Sequence, residues 1–300
     1  MLTRRGFFKL AAQAWLTALA FAGYATGVEA MGTPRIQRYS LTPPRWPPGL
    51  KLRIVVLADF HACEPWMTAD RMAGICKTAN ELGGDIILLL GDYATSMKYI
   101  LDTVPAEQIA AVLTTLQAPL GVHAVLGNHD YWADHAWQQA QGGETVVEKA
   151  LRAAGIPVYI NRTVKLEKDG QPFWLGGLGD QMALKQDPSV GRYEPIGIED
   201  MAAVMAPVDD DAPVVLMAHE PYVIPVLPER ISLTICGHTH GGQMNVLGWR
   251  PFLRTPDEKR YFEGHVVDKG RHAVISRGLG CSGLPMRVGV WPEIMVLEIG

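Results

Sequence analysis

The sequence predicts an α/β domain in which two mixed β-sheets are flanked by helices. From Arg53 onward, short runs of Val, Ile and Leu alternate with longer helix-like segments, and Gly and turn residues separate them. After Pro157 the runs become shorter and follow one another across turns, which favours further, antiparallel strands. With 300 residues, 48% of them hydrophobic, the chain is long and apolar enough to bury a sizeable core.

Residues 1–30 have the composition of an export signal. Arg4 and Arg5 are followed by Phe and Lys, the stretch 10–27 is uncharged, and residues 28–30 offer a small-residue cleavage site. The paired arginines resemble the twin-arginine consensus. The alternatives are an ordinary signal and an uncleaved membrane anchor, although Ala, Gly, Thr and Gln dilute the apolar stretch that a spanning helix needs. We therefore expect the twin-arginine translocon as a partner and a periplasmic or cell-envelope location, membrane-anchored if the leader remains.

Residues 31–50 contain five prolines and predict an extended connector, which leaves residues 51–300 for the folded domain. Helices are expected at 69–82, 105–117 and 144–154, the second with Pro at its start, where a missing N–H costs little. Strands are expected at 157–160, 163–168 and 172–180, with a turn at Asp169-Gly170, and in the tail at 260–267, 271–278 and 291–299.

A metal-binding type of side chain follows each of five apolar runs. In open α/β sheets ligands bind at the carboxyl ends of the strands, so these side chains are expected at one rim. Carboxylate, imidazole and carboxamide donors suit Mn, Fe, Zn or Co rather than Ca or Mg alone. The set is too large for one tetrahedral ion and fits two ions that share a carboxylate. The candidate ligands are Asp59, His61, Asp92, Asn128, His219, His238 and His240.

The residues around Asn128 add catalytic groups to this rim. A pair of divalent ions acidifies water and forms a clamp for in-line displacement at phosphorus. Asp92, alone after Gly91, is the candidate bridge between them. His129 is free to act as general acid for the leaving oxygen. Asp130 is expected to orient the His129 imidazole and to raise its pKa.

Other polar and aromatic residues have two interpretations each. Cys63 and Cys236 lie near the candidate ligands, so a thiolate ligand is one interpretation. For Cys236, within an apolar strand, burial as a small hydrophobe is the expected role. The aromatic residues that follow ligand positions either line a pocket or pack loops, and two arginines of the tail either contact a phosphate or are structural. These residues are Tyr93, Tyr131, Trp132, Arg277 and Arg287. The net charge of −4 gives no support for a nucleic-acid partner.

The motif set resembles that of the calcineurin-like metallophosphoesterases over about Arg53 to Gly300. The motifs that carry the resemblance are Asp59-Phe60-His61, Gly91-Asp92, Gly127-Asn128-His129-Asp130, His219 and Gly237-His238-Thr239-His240. The resemblance implies an αββα sandwich and a proton-donating role for His129. It also implies one metal on Asp59, His61, Asp92 and His240, and a second on Asp92, Asn128, His219 and His238.

The extensions at 237–243 and 276–287, together with the leader, resemble bacterial phosphodiesterases of the YaeI and YkuE type. The resemblance implies a dinuclear phosphodiesterase acting on a small-molecule or lipid phosphodiester, with membrane association as a further expectation. One alternative is cleavage of the pyrophosphate of UDP-2,3-diacylglucosamine in lipid A synthesis, on the cytoplasmic side. Another is a metal-binding scaffold without catalysis. A nuclease is disfavoured by the acidic charge and the export signal.

Overall fold

Two β-sheets form the centre of the fold, in a computed structural model that describes residues 3–300. The strands of the first sheet lie side by side in the order β1 (Arg35–Leu41), β13 (Glu293–Ile299), β2 (Leu52–Leu57), β4 (Ile86–Leu89) and β6 (Val122–Ala124). The order in the second is β11 (Gly264–Asp268), β12 (Arg271–Ile275), β10 (Ile231–Cys236), β9 (Val214–Ala218), β8 (Gln171–Gly177) and β7 (Arg162–Lys168). A small ribbon joins β3 (Cys63–Glu64) and β5 (Asp102–Thr103).

Both sheets are mixed, as predicted. In the first, β2, β4 and β6 are parallel, and β13 is antiparallel to β2. In the second, β8, β9, β10 and β12 are parallel, while β7 and β11 are antiparallel edge strands. The parallel strands therefore direct their carboxyl ends to one edge of each sheet.

Helices cover the outer faces of the sheets. The α-helices are α1 (Arg4–Gly23), α2 (Ala69–Glu81), α3 (Ala106–Leu113), α4 (Asn128–Trp132), α5 (His135–Ala140), α6 (Val146–Ala153), α7 (Met201–Met205) and α8 (Pro256–Arg260). A π-helical turn at Tyr24–Glu29 continues α1, and short 3₁₀ turns lie at Pro188–Val190, Pro221–Val226 and His240–Gly242. Among the described residues, no helix is both long enough and apolar enough to cross a membrane.

The core is layered because side chains alternate along each strand. Val56 of β2 points with Met217 of β9 into the space between the sheets. Its neighbour Val55 points to the opposite face, where it joins Ile75 of α2 and Leu113 of α3 in a second cluster. A third cluster covers the outer face of the second sheet, with α7. These layers confirm the predicted αββα sandwich.

The N-terminal part of the domain differs from the expected connector. Residues 35–41 form β1, which pairs in parallel with β13 from Arg35↔Glu293 to Leu41↔Ile299. The prolines lie before and after this segment, at 34 and 43–48, so the strand keeps its backbone donors. The sheet thus begins within the predicted connector at 31–50.

The end of the predicted leader packs onto the domain. The side chains of Ala25 and Glu29 are buried. The Arg287 amide donates a hydrogen bond to the Ala25 carbonyl at 3.0 Å, and the Val290 amide donates to Glu29 Oε1 at 2.6 Å. None of the side chains of α1 itself is buried. Cleavage after residue 30 stays a prediction, and it falls in a segment that contacts the C-terminal loops.

Other expected elements differ in their bounds. The three long helices begin and end within a few residues of the expected positions, and the turn at Asp169-Gly170 joins β7 to β8. The expected strand at 157–160 is reduced to one bridge between Ala124 and Val158. The expected strand at 260–267 is wrong at its start, because α8 continues to Arg260 and β11 begins at Gly264.

Candidate metal centre

The carboxyl ends of five strands meet at one rim between the two sheets. β2, β4 and β6 deliver side chains from the first sheet, and β9 and β10 deliver side chains from the second. All seven predicted ligands lie at this rim, namely Asp59, His61, Asp92, Asn128, His219, His238 and His240. The rim therefore joins the two halves of the sandwich.

The backbone is left-handed at most of these ligands. The φ angle is 57° at Asp59, 47° at His61, 55° at Asp92, 69° at His238 and 51° at His240. Each such conformation costs a non-glycine residue on the order of 1–3 kcal/mol and persists only where surrounding contacts impose it. Strain of this kind clusters at functional sites, and here it coincides with the predicted ligand set.

The first group of ligands consists of Asp59, His61 and His240. One donor atom from each lies within 4.8 Å of the others. His61 Nε2 and His240 Nε2 are 3.0 Å apart, and His240 Nε2 is 3.7 Å from Asp59 Oδ1. Asp59 Oδ2 is buried without a hydrogen-bond partner among residues 3–300. The carboxylate of Asp59 and the two Nε2 atoms are the donors that would hold a divalent cation here.

The second group consists of Asp92, His219 and His238, again with donor atoms within 4.8 Å of one another. His238 Nδ1 lies 3.0 Å from Asn128 Oδ1, which places the carboxamide at this group. His219 Nδ1 lies 2.7 Å from the Leu90 carbonyl oxygen. This contact fixes the ring and leaves His219 Nε2 to face the cluster, as is usual for metal-binding histidine.

Asp92, a member of the second group, also contacts the first. Its Oδ2 lies 3.3 Å from His61 Nε2 and 3.2 Å from His219 Nε2. Burial by itself raises the pKa of Asp92, but His219, His129 and His61 outweigh burial and hold that pKa well below its usual range. Asp92 is therefore a carboxylate at neutral pH, placed where a bridging ligand would lie.

The imidazoles fit the same chemistry. Burial lowers the pKa of His61 to about 3 and that of His238 to about 4, so both rings are neutral and able to ligate. Burial by itself lowers the pKa of His219. The nearby carboxylate of Asp92 has the larger effect and raises the pKa of His219 well above its usual value. A proton and a cation thus compete for His219 Nε2.

His129, the predicted general acid, lies beside the candidate ligands. Its Nδ1 lies 2.6 Å from Ser96 Oγ, and its Nε2 lies 3.3 Å from Ser282 Oγ. Its ring stands edge-on to that of His61, with 4.7 Å between the centroids. Burial lowers the pKa of His129. Sequence reasoning missed both serines, although Ser282 lies within the tail motif 276–287.

The predicted role of Asp130 is wrong. Its Oδ2 accepts hydrogen bonds from the amides of Asp92 and Gly127, and its Oδ1 accepts one from the Ala94 amide, each at 2.9 Å. Within residues 3–300 the His129 ring is hydrogen-bonded to serines and not to Asp130. The reason is local, since Asp130 is the third residue of α4 and its side chain turns back to the helix start.

A cavity of about 610 Å³ opens beside the ligands. Asn128, His129, His238 and His240 line it. Of the three aromatic residues that sequence reasoning considered, Trp132 lines this cavity. Tyr93 and Tyr131 are buried in the core behind the rim, so loop packing is their role.

Gly127 packs directly against the candidate ligands. A Cβ at this position would collide with Asp92 Oδ1 and the His219 ring, so even alanine does not fit here.

The two tail arginines are structural. Arg287 is fully buried, and its Nη2 lies 3.1 Å from His240 Nδ1 while it also donates to the Gly280 and Arg277 carbonyls. Arg277 pairs with Glu263 at 2.7 Å. Neither arginine lines the cavity in the part of the chain that the structure describes.

The four cysteines and one acidic pair are also of types that can bind metals. All four cysteines are buried free thiols, and none joins a metal-type cluster within residues 3–300. Asp180 and Glu220 form a further cluster with His219. No motif predicted this pair, because Asp180 follows a strand without a neighbouring ligand.

The chain matches one known protein family and several relatives. The calcineurin-like phosphoesterase family matches residues 52–268. The uncharacterized metallophosphoesterase YkuE of Bacillus subtilis is 29% identical over 302 aligned positions, covering 98% of this chain and 95% of YkuE. The phosphodiesterase YaeI of Escherichia coli is 29% identical, covering 82% of each chain. Among solved structures, a dimetal phosphatase from Danio rerio aligns over 76% of this chain and 88% of its own, with 13% identity and a TM-score of 0.41.

The family match covers most of the sandwich and includes every predicted ligand. The cluster of carboxylate and imidazole donors at the strand ends supplies the chemistry that such a family uses. The chain therefore belongs to the calcineurin-like phosphoesterase family and is a metal-dependent phosphoester hydrolase.

Proposed function

We propose that the protein is a phosphodiesterase with two divalent cations at the rim. The observation that carries this proposal is the position of Asp92 Oδ2, which faces histidines of both groups at 3.2–3.3 Å. Mn, Zn, Fe and Co all suit the donor set. One cation is assigned to Asp59, His61, Asp92 and His240, and the other to Asp92, Asn128, His219 and His238.

In this proposal the protein residues position the substrate and move the proton. The two cations, when bound, acidify water and neutralise charge that develops at phosphorus. His129 lines the cavity, where it protonates the leaving oxygen. Ser96 holds the ring through Nδ1 and directs Nε2 toward the cavity. The name of the relative YaeI, a phosphodiesterase, supports a diester substrate.

The predicted leader indicates where in the cell the protein acts. Arg4 and Arg5 precede an uncharged stretch, which supports export of the folded protein through the twin-arginine translocon to the periplasm or cell envelope. The substrate is then a small-molecule or lipid phosphodiester outside the cytoplasm. The pyrophosphatase of lipid A synthesis would require the opposite side of the membrane. A scaffold without catalysis is disfavoured because all the ligands and His129 are present at one rim.

Replacing the proposed acid tests the mechanism. His129→Asn should lower hydrolysis of a diester with an alkoxide leaving group by about 10²–10⁴-fold, the usual contribution of a general acid. The same variant should lose far less on bis(4-nitrophenyl) phosphate, because nitrophenoxide leaves without a proton. Metal content, measured by elemental analysis, should stay at the wild-type value. His135→Asn, at an exposed histidine, is the control. Equal losses on both substrates would remove His129 from the role of acid.

Replacing the paired arginines tests the location. In the doubly substituted chain Arg4→Lys with Arg5→Lys, the twin-arginine translocon should no longer recognise the leader, and the protein should accumulate in the cytoplasmic fraction. Immunoblots of cell fractions measure this outcome. Arg38→Lys, on β1 outside the leader, is the matched control and should be exported as the wild type is. Unchanged export of the double variant would contradict the proposal.

A further inference from the structure

We propose that Ser282 contacts the leaving oxygen of the substrate, and that Gln243 holds Ser282 in the position from which it does so. This inference deepens the proposed function and rests on the proposed role of His129 as the general acid. Two observations carry it, namely the place of the Ser282 hydroxyl at the His129 ring and the hydrogen bonds that fix the loop at 279–284.

The Ser282 hydroxyl lies at the nitrogen from which the proton is proposed to leave. Its Oγ is 3.3 Å from His129 Nε2, and Ser282 lines the cavity. The other ring nitrogen, Nδ1, is bound by Ser96 Oγ at 2.6 Å. An imidazole nitrogen forms its hydrogen bond in the plane of the ring and in one direction. A leaving oxygen that reaches Nε2 therefore comes next to Ser282 Oγ, within hydrogen-bond distance of the hydroxyl.

The side-chain amide of Gln243 binds both backbone groups of Ser282. The Ser282 amide donates to Gln243 Oε1 at 2.7 Å. Gln243 Nε2 donates to the carbonyls of Ser282 and Leu284, at 2.9 and 3.1 Å. Gln243 is buried, and its own amide donates to the His240 carbonyl at 2.8 Å. The serine is thereby tied to the segment that carries a candidate ligand.

The start of the same loop is tied to a second segment with candidate ligands. The Gly280 amide donates to the Asp59 carbonyl at 2.7 Å. A Cβ on Gly280 would collide with the Phe60 carbonyl, so this close approach requires glycine. Backbone contacts on both sides thus set the place of Ser282 relative to the candidate ligands. Because these contacts use the backbone, the hydroxyl of Ser282 is left to the cavity.

The hydroxyl acts on the oxygen that departs. The P–O bond breaks with its electron pair on the leaving oxygen, which takes the Nε2 proton of His129, while water supplies the new oxygen at phosphorus. The Ser282 hydroxyl donates a hydrogen bond to the leaving oxygen and keeps its own proton. This hydrogen bond strengthens as negative charge develops, so it lowers the barrier more for a strongly basic leaving group than for a weakly basic one.

Removing the hydroxyl alone tests this role. Ser282→Ala keeps both backbone groups that Gln243 binds, so its Tm and metal content should equal those of the wild type. Its kcat/KM should fall about ten- to a hundredfold on methyl phenyl phosphate, the scale of a hydrogen bond to a charged group, and less than about threefold on methyl 4-nitrophenyl phosphate. Ser282→Thr keeps a hydroxyl and should recover most of the loss. Ser40→Ala is the control and should change neither rate, because this exposed serine lies near the end of β1, which runs antiparallel to β2 and so ends away from the rim.

A second background separates contact with the substrate from support of the acid. In a chain that already carries His129→Asn, Ser282→Ala should still lower the hydrolysis of methyl phenyl phosphate by at least about fivefold. No further loss in that background would mean that Ser282 acts only through the His129 ring, and it would overturn the inference. Wild-type rates in Ser282→Ala, or equal losses on the two esters, would overturn it as well.

Gln243→Glu tests the positioning residue. The glutamate side chain has no NH₂ group to donate to the two carbonyls, so Ser282 should lose its place and the loss should again be larger on methyl phenyl phosphate. Equal losses on both esters would reduce Gln243 to a structural role. If the wild type hydrolyses phenyl phosphate and 4-nitrophenyl phosphate but neither diester, the proposed diester substrate is wrong. The same variants on these two monoesters then decide the role of Ser282.

Discussion

The two metal-site carboxylates share one arrangement of their oxygens. Asp59 Oδ1 accepts a hydrogen bond from the His238 amide and Asp92 Oδ1 accepts one from the His129 amide, both at 2.8 Å. Asp92 Oδ2 is left to face His61 and His219, and Asp59 Oδ2 is left without a hydrogen-bond partner among residues 3–300. These amide contacts help to hold the left-handed residues Asp59 and Asp92 in place.

Asp130 holds the backbone on both sides of this arrangement, through the amides of Asp92, Ala94 and Gly127. The Asp130 carboxylate accepts hydrogen bonds from three backbone amides. In Asp130→Asn the side-chain NH₂ group faces one of these amides, so that buried N–H loses its acceptor. The expected cost is about 1–3 kcal/mol in the free energy of unfolding, with a loss of activity as the Asp92 loop shifts. Urea denaturation of the metal-free protein measures the first effect. Asp200→Asn, at the exposed cap of α7, is the control and should cost less. An unchanged stability together with a shifted pH profile of hydrolysis would restore the role of orienting His129.

At the scale of elements, the strands that carry ligands could be predicted because they are buried. β2, β4, β9 and β10 are runs of Val, Ile and Leu that end at turn residues, and their burial on both faces gives an unambiguous pattern. β1 was missed because it is a half-exposed edge strand with polar and apolar residues mixed. The partners of the His129 ring were missed for a different reason, since Ser96 and Ser282 come together with it only through tertiary packing.

The segment after α1 gives a test at this scale. If residues 24–32 are part of the folded domain, Glu29→Ala leaves the buried Val290 amide without its acceptor, and the free energy of unfolding should fall by about 1–3 kcal/mol. Thermal or urea denaturation of the full chain measures the change. Glu107→Ala, at an exposed position of α3, should have almost no effect. Equal stabilities of the two variants would show that the segment is an independent leader.

At the scale of the whole molecule, the ligands connect two sheets that otherwise meet through apolar packing. Asp59, Asp92 and Asn128 follow strands of the first sheet, whereas His219 and His238 follow strands of the second. A cation bound by both sets acts as a cross-link between the halves of the sandwich. Binding energy at the rim is then also folding energy, because the unfolded chain has no such site.

Metal removal should therefore destabilise the whole protein. At a cation concentration one hundred times its Kd, the native state gains about 2.7 kcal/mol, and a chelator should remove that gain and lower the Tm. His219→Ala should reduce the difference in Tm between the Mn-loaded and the metal-free protein. His123→Ala is the matched control, a buried histidine that bonds Tyr159 and Leu120 away from the ligands. It should lower both Tm values and keep their difference, because His123, unlike His219, lies outside the candidate ligand groups. A full metal-dependent gain in His219→Ala would remove this histidine from the ligand set.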